Sequence, residues 1–345
     1  MLALLWIAAS TAALIGTGCL YQWIGGHRDR LRFAGPGRLV TIGRKYKLYL
    51  LEKGATGSQA PTVLFEAGIA ATNLNWFHIQ EIVSGFTGTA SYDRGGLGWS
   101  SPCRTPRTPG NIAVELHDLM ERAQIKPPYI LVGHSFGGLV MRRYALLFPE
   151  EVAGVVLIDP MRCEEWPPIN PGKQSELDRG KKLSGFAVPI ARCGLARLAV
   201  TSLLCRSGRT ARQLAGAAGN GGRHVLKRVT DEVGKMPSEV WPIVASHWSR
   251  PSYYIGMRSH VEAVPDTVRE MQNAEPIHDI PVLVLTPGKS TPLSVERLGR
   301  IGDHVEQVIA VSSAHWIHLD EPDLVIDSIR EMVAAATHAA VAATV

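Results

Sequence analysis

The 345-residue sequence predicts an α/β fold: a mostly parallel sheet covered by helices, preceded by a membrane-length helix and interrupted by a helical insertion. Three observations carry this expectation. Short apolar runs that end in Gly or Asp turns alternate with segments whose apolar residues recur at helical spacing, the pattern of strand–helix–strand units. Leu2 to Ile24 contains no charged residue, and Met161 to about Val264 lacks repeated strand-like runs. With 46% apolar and 19% charged residues the chain can bury a full core, which excludes the disordered and fibrous classes.

Taken in order, residues 1–25 read as a single-pass membrane anchor. As a helix the uncharged stretch reaches roughly 35 Å, enough to cross a bilayer. Met1 leads directly into Leu2-Ala3-Leu4, without the basic segment of a secretory signal, so retention is expected over removal. His27-Arg28-Asp29-Arg30-Leu31-Arg32 opens a basic linker, 26–38, and by the positive-inside tendency puts the rest of the chain on the cytoplasmic face. Trp6 near one end and Tyr21 with Trp23 near the other suit the two membrane interfaces.

The first part of the α/β core spans 39–160. Strands are expected at Leu39–Ile42, Tyr46–Leu51, Thr62–Glu66, Thr89–Tyr92, Tyr129–Gly133 and Gly154–Ile158. Ile112, Leu116, Leu119, Met120 and Ala123 mark one helix, and Phe136–Phe148 another. Residues 161–264 form the helical insertion, where 16 Lys and Arg stand against 8 Asp and Glu between Pro160 and Val264. Those charges, Lys181, Lys182 and Arg206 to Arg228 among them, read as a solvated helical face, with an anionic lipid surface or acidic substrates as the alternative. The core resumes over 265–337 with strands Val282–Leu285 and Val305–Val311 and a last helix from Glu321, leaving a tail, 338–345. Five cysteines without metal-binding spacing read as free thiols, with a Cys193–Cys205 pair as the alternative in an oxidising space.

Gly133-His134-Ser135-Phe136-Gly137-Gly138 follows one expected strand and opens a helix. That context makes Ser135 a candidate nucleophile on a strained strand-to-helix turn. A serine hydroxyl needs a base, and His315, just after the last strand, is the favoured one, with His318 as the alternative. The acid that orients the base is sought at a strand end. Asp159, closing Leu157-Ile158-Asp159, is favoured over Glu296, because Thr286 to Pro292 holds no acid. Two backbone amides, of Phe136 and of Ile69 in Glu66-Ala67-Gly68-Ile69, would hold an oxyanion. Gly68 and His134 are expected beside the substrate.

These residues resemble the α/β-hydrolase superfamily, and within it the alpha/beta hydrolase-1 family whose members carry a lid. The likeness runs from about Leu39 to Val333 and rests on Glu66-Ala67-Gly68, Ser91-Tyr92-Asp93-Arg94-Gly95-Gly96-Leu97-Gly98-Trp99-Ser100, the turn at Ser135, Leu157-Ile158-Asp159, and His315 with Pro322 seven residues on. It implies an eight-stranded sheet, a helical lid after the sixth strand, and chemistry with neither metal nor cofactor. Two departures are visible: Ala67 stands where many members have His, and no acid follows the seventh strand. A serine at the nucleophile position argues against the dehalogenase and epoxide-hydrolase members, which use aspartate there. The implied activity is hydrolysis of an apolar carboxylic ester or related acyl substrate through an acyl-enzyme. Peptidase, thioesterase and C–C hydrolase chemistry, or a non-catalytic ligand-binding role, are the alternatives. Gly219-Asn220-Gly221-Gly222 lacks a phosphate-loop context, and nucleic acid is not an expected partner.

Overall fold

The computed structural model describes residues 1–43, 46–55, 60–166, 169, 171–205 and 231–342. The basic run Arg206 to Arg228 and Gly219–Gly222 lie outside the described residues, as does the side chain of Cys205. Helix α1 covers Leu2–Arg32. The sheet then begins with β1 (Arg38–Ile42), β2 (Tyr46–Lys53) and β3 (Thr62–Glu66). After α2 (Phe77–Val83) come β4 (Thr89–Asp93), α3 (Pro109–Ala123), β5 (Tyr129–His134), α4 (Phe136–Leu147) and β6 (Val152–Ile158). Helices α5 (Pro171–Arg192), α6 (Leu195–Cys205), α7 (Trp241–Trp248), α8 (Pro251–Glu262) and α9 (Val264–Met271) follow. The chain closes with β7 (Val282–Pro287), α10 (Val295–Gly299), β8 (Val305–Ala310), α11 (Ile317–Asp320) and α12 (Pro322–Ala342).

The eight strands lie in the order β1-β2-β4-β3-β5-β6-β7-β8. β1, β2 and β4 pair antiparallel, and every pairing from β4 through β3 to β8 is parallel. The central strands β3 and β5 are buried along their whole length, because helices cover both faces and neither face can be polar. Alternate residues divide between two cores. Leu64, Leu131, Val155 and Val284 pack with Ile112, Leu116 and Leu119 of α3 and Val140 of α4. Their neighbours Phe65, Ile130, Val156 and Leu285 pack on the other side with Ile79 of α2 and Val325, Ile326 and Ile329 of α12.

The chain divides into two compact units, Gly37–Leu177 with Ser259–Val345, and Met1–Pro36 with Asp178–Arg258. The bounds of these units differ from the expected ones. The insertion's ends, 161–177 and 259–264, group with the sheet, where Cys163, Leu177, Val264 and Val268 share an apolar cluster with Leu139. The expected linker is helical to Arg32, since nothing between Ile24 and Arg32 breaks a helix except the pair Gly25-Gly26. Helix α12 likewise runs through most of the expected tail, to Ala342. Within the second unit Trp248 and Tyr253 are buried and stack with ring centroids 6.0 Å apart. Cys19, Cys103, Cys163 and Cys193 are free thiols.

Candidate active site

Ser135 stands between the last residue of β5 and the first of α4, with φ 54° and ψ −118°. A non-glycine residue holds positive φ only where its surroundings enforce it. Here they do: the Ser135 amide donates to the Ile158 carbonyl at 2.9 Å, and the Ser135 carbonyl accepts from Met161 at 3.1 Å. The glycines around it are steric necessities. A Cβ on Gly137 would stand 2.5 Å from the Glu66 carbonyl oxygen and 2.6 Å from that of Ala67. One on Gly133 would stand 2.5 Å from the Gly137 carbonyl oxygen.

Asp159 follows the end of β6 and also has positive φ, 39°. Its amide donates to the Leu285 carbonyl at 2.8 Å, which ties the turn to β7. Its Oδ2 lies 2.7 Å from Nδ1 of His315. The His315 loop is fixed from the junction of α11 and α12: Ser312 N–H and Ser313 Oγ both donate to Glu321 Oε1, at 2.8 and 2.7 Å. Ser135, Asp159 and His315 line one cavity of about 460 Å³, with Met161, Arg162, Glu165, Trp166, Ser290 and Thr291 among its walls. The alternative acid, Glu296, lies elsewhere, exposed on α10 and 2.7 Å from Arg300.

His134 has a different place from the expected one. It is fully buried, and its Nε2 lies 2.8 Å from the His315 carbonyl. Burial first, and then the neighbouring His318 and His315, push its pKa well below the usual histidine range, so the ring is neutral. A carbonyl can only accept, so Nε2 carries the proton and Nδ1 is bare. The ring supports the loop of His315 from beneath; what brings it there is the tight backbone of Gly68, where a Cβ would stand 3.0 Å from His134 Nδ1. His318, the alternative base, is buried between rings of Trp76 and His134, at 4.7 and 4.4 Å.

The amides of Phe136 and Ile69 belong to segments held in one arrangement. Phe136 is the first residue of α4, where a helix leaves its N–H groups without acceptors of its own. Ile69 lies in the turn after β3 next to Ala70, whose φ is 56°. Both segments meet Arg94, which the sequence singles out only as one residue of the Ser91–Ser100 run. Arg94 is 2% exposed; its Nη2 donates to the carbonyls of Ala67, at 3.2 Å, and Gly68. Its guanidinium lies 5.2 Å from the centroid of the Phe136 ring. Glu66 Oε1 balances the charge at 3.4 Å from Arg94 Nε, and Tyr92 donates to Glu66 Oε2. Burial raises the Glu66 pKa and the Arg94 charge opposes that shift.

Residues 61–179 match a family described as alpha/beta hydrolase fold. The uncharacterised protein YqjL of Bacillus subtilis is 35% identical over 104 residues, 30% of this chain and 41% of that protein. An AB hydrolase superfamily protein of Gibberella zeae is 31% identical over 126 residues, 35% of this chain and 39% of that one. The chain therefore spans about two fifths of the length of these curated relatives. Among solved structures, a candidate epoxide hydrolase from Pseudomonas aeruginosa superimposes with a TM-score of 0.64 at 17% identity, covering 88% of this chain and 98% of that one. A candidate acyltransferase from Salmonella enterica does so with a TM-score of 0.63 at 16% identity, covering 87% and 96%.

Proposed function

We propose that this chain, a protein of the α/β-hydrolase fold, is a serine hydrolase that cleaves a carboxylic ester through an acyl-enzyme, held at a membrane by α1. The observation that carries the reading is the 2.7 Å contact of His315 Nδ1 with Asp159 in the cavity that Ser135 also lines. A carboxylate on Nδ1 fixes the tautomer that leaves Nε2 free to accept a proton. Ser135 Oγ attacks the acyl carbonyl and gives its proton to His315 Nε2. The Phe136 and Ile69 amides stabilise the oxyanion, and the alcohol leaves with the proton from His315. Water, deprotonated by the same imidazole, then releases the acid. Structural neighbours solved as candidate epoxide hydrolases share the fold, but a serine on the elbow favours acyl chemistry here.

Helix α1 is long and apolar enough to cross a membrane, and none of its most apolar stretch is buried. That exposure supports the anchor reading, and Met161 and Trp166 on the cavity wall suit an apolar acyl chain. The test is hydrolysis of p-nitrophenyl esters of increasing chain length by the full chain in detergent micelles. Ser135→Ala should abolish turnover and labelling by a fluorophosphonate probe. Asp159→Asn should cost about 10³- to 10⁴-fold in kcat, while Glu296→Gln leaves it unchanged. Wild-type turnover equal to that of Ser135→Ala, with no probe labelling, would refute the assignment.

A further inference from the structure

One stripe of α1 is covered inside its own compact unit. A Cβ on Gly18 would stand 2.3 Å from the Cys193 carbonyl oxygen, and one on Gly194, at φ +74°, would stand 2.8 Å from the Gly18 carbonyl oxygen. One turn on, buried Gln22 accepts from Arg197 Nε and donates to the Ser249 carbonyl, both at 3.0 Å. Beyond that, Arg197 Nη1 donates to Asp29 Oδ2 at 2.6 Å. Gly18, Gln22, Gly25 and Asp29 are spaced four, three and four apart, so they fall on one face. Gly194 thus packs at the level of Gly18 while the Arg197 side chain reaches the levels of Gln22 and Asp29, so the first turn of α6 leads from Gly18 toward the Asp29 end of α1.

This contact sets a depth. The uncharged run of α1 ends at Ile24. Gly18 lies six residues earlier, about 9 Å at 1.5 Å per residue. The junction of α5 with α6 touches α1 at that point, and the two helices meet there at 97°. Since α6 starts alongside α1, α5 turns across it. The part of α5 in this unit exposes Leu183, Phe186 and Ile190, at 42%, 70% and 46%. Their spacing, i, i+3 and i+7, makes one apolar stripe. Leu195 and Leu198 continue it onto α6, at 57% and 52% exposed. Lys182 and Arg192 are exposed beside it. An apolar stripe with flanking cations, lying across a spanning helix about 9 Å inside its apolar length, has the depth and chemistry of an in-plane interfacial helix.

We propose that the α5–α6 corner is a second membrane contact, with the Leu183–Leu198 stripe immersed in the lipid leaflet that holds the C-terminal half of α1. The proposal rests on the anchor reading of α1. The full chain is reconstituted in phosphatidylcholine–phosphatidylglycerol vesicles and irradiated with a carbene-generating lipid probe, and adducts are mapped on peptides. Adducts are expected on the apolar part of α1 and on residues 183–198. Phe186→Asp combined with Ile190→Asp should abolish the second set, keep the first, and retain turnover of a short water-soluble ester. Adducts on α1 with none on 183–198 overturn the second contact and leave the anchor standing. Adducts on neither, in protein that remains soluble without vesicles, overturn both.

Discussion

At the scale of single residues, the serine, histidine and aspartate were legible because each follows a strand that its own local pattern reveals. Arg94 was not, because its role comes from contacts with carbonyls of another strand's turn and with the ring of Phe136, which no local pattern encodes. Under the proposed function Arg94, which contacts both candidate oxyanion segments, would act as a positioning residue. Arg94→Lys keeps the charge beside Glu66 but loses the planar fork. We expect kcat to fall about 10- to 100-fold with KM little changed, at an unaltered circular dichroism spectrum. An equal loss in kcat and thermal stability would reduce Arg94 to a core ion pair. His134 is the complementary case: its place in the motif was plain, but a residue inside the elbow can face away from the cavity, and its burial is a property of the packed loops.

At the scale of elements, all eight strands were readable, because strands buried on both faces are continuous apolar runs bounded by turns. The helical continuation past Ile24 was not. Charged residues suggest a linker when they follow an apolar span, yet Asp29 is held by Arg197, a partner 168 positions away. The elbow shows how far glycine is obligatory. Gly137→Ala places a Cβ against two backbone oxygens that cannot yield, which predicts a loss of about 1–3 kcal/mol together with reduced turnover. Gly138→Ala meets the Pro160 ring at 3.0 Å and should cost less. Thermal melts of the two variants compare them directly, and equal costs would refute the steric argument.

At the scale of the molecule, each compact unit holds a fully buried histidine whose pKa burial pushes well below the ordinary value, His134 in one and His247 in the other. Unfolding restores an ordinary pKa of about 6.5, so below that pH the unfolded chain binds protons that the folded chain refuses. The contribution of these two groups to stability is therefore full above about 6.5 and falls as pH drops, by about 1.4 kcal/mol per pH unit for each group. Urea denaturation of the full chain in mild detergent at pH 7.5 and 5.5 should show the decline, and equal midpoints would contradict it. The position of the acid also bears on how the protein can change. With Asp159 on the turn after β6 paired to His315, the proposed mechanism asks nothing of the stretch after β7, although Ser290 and Thr291 face the cavity. A wall without a chemical obligation can be rewritten: grafted or randomised loops between Gly288 and Leu293 offer a route to new selectivity in which the reacting groups stay untouched.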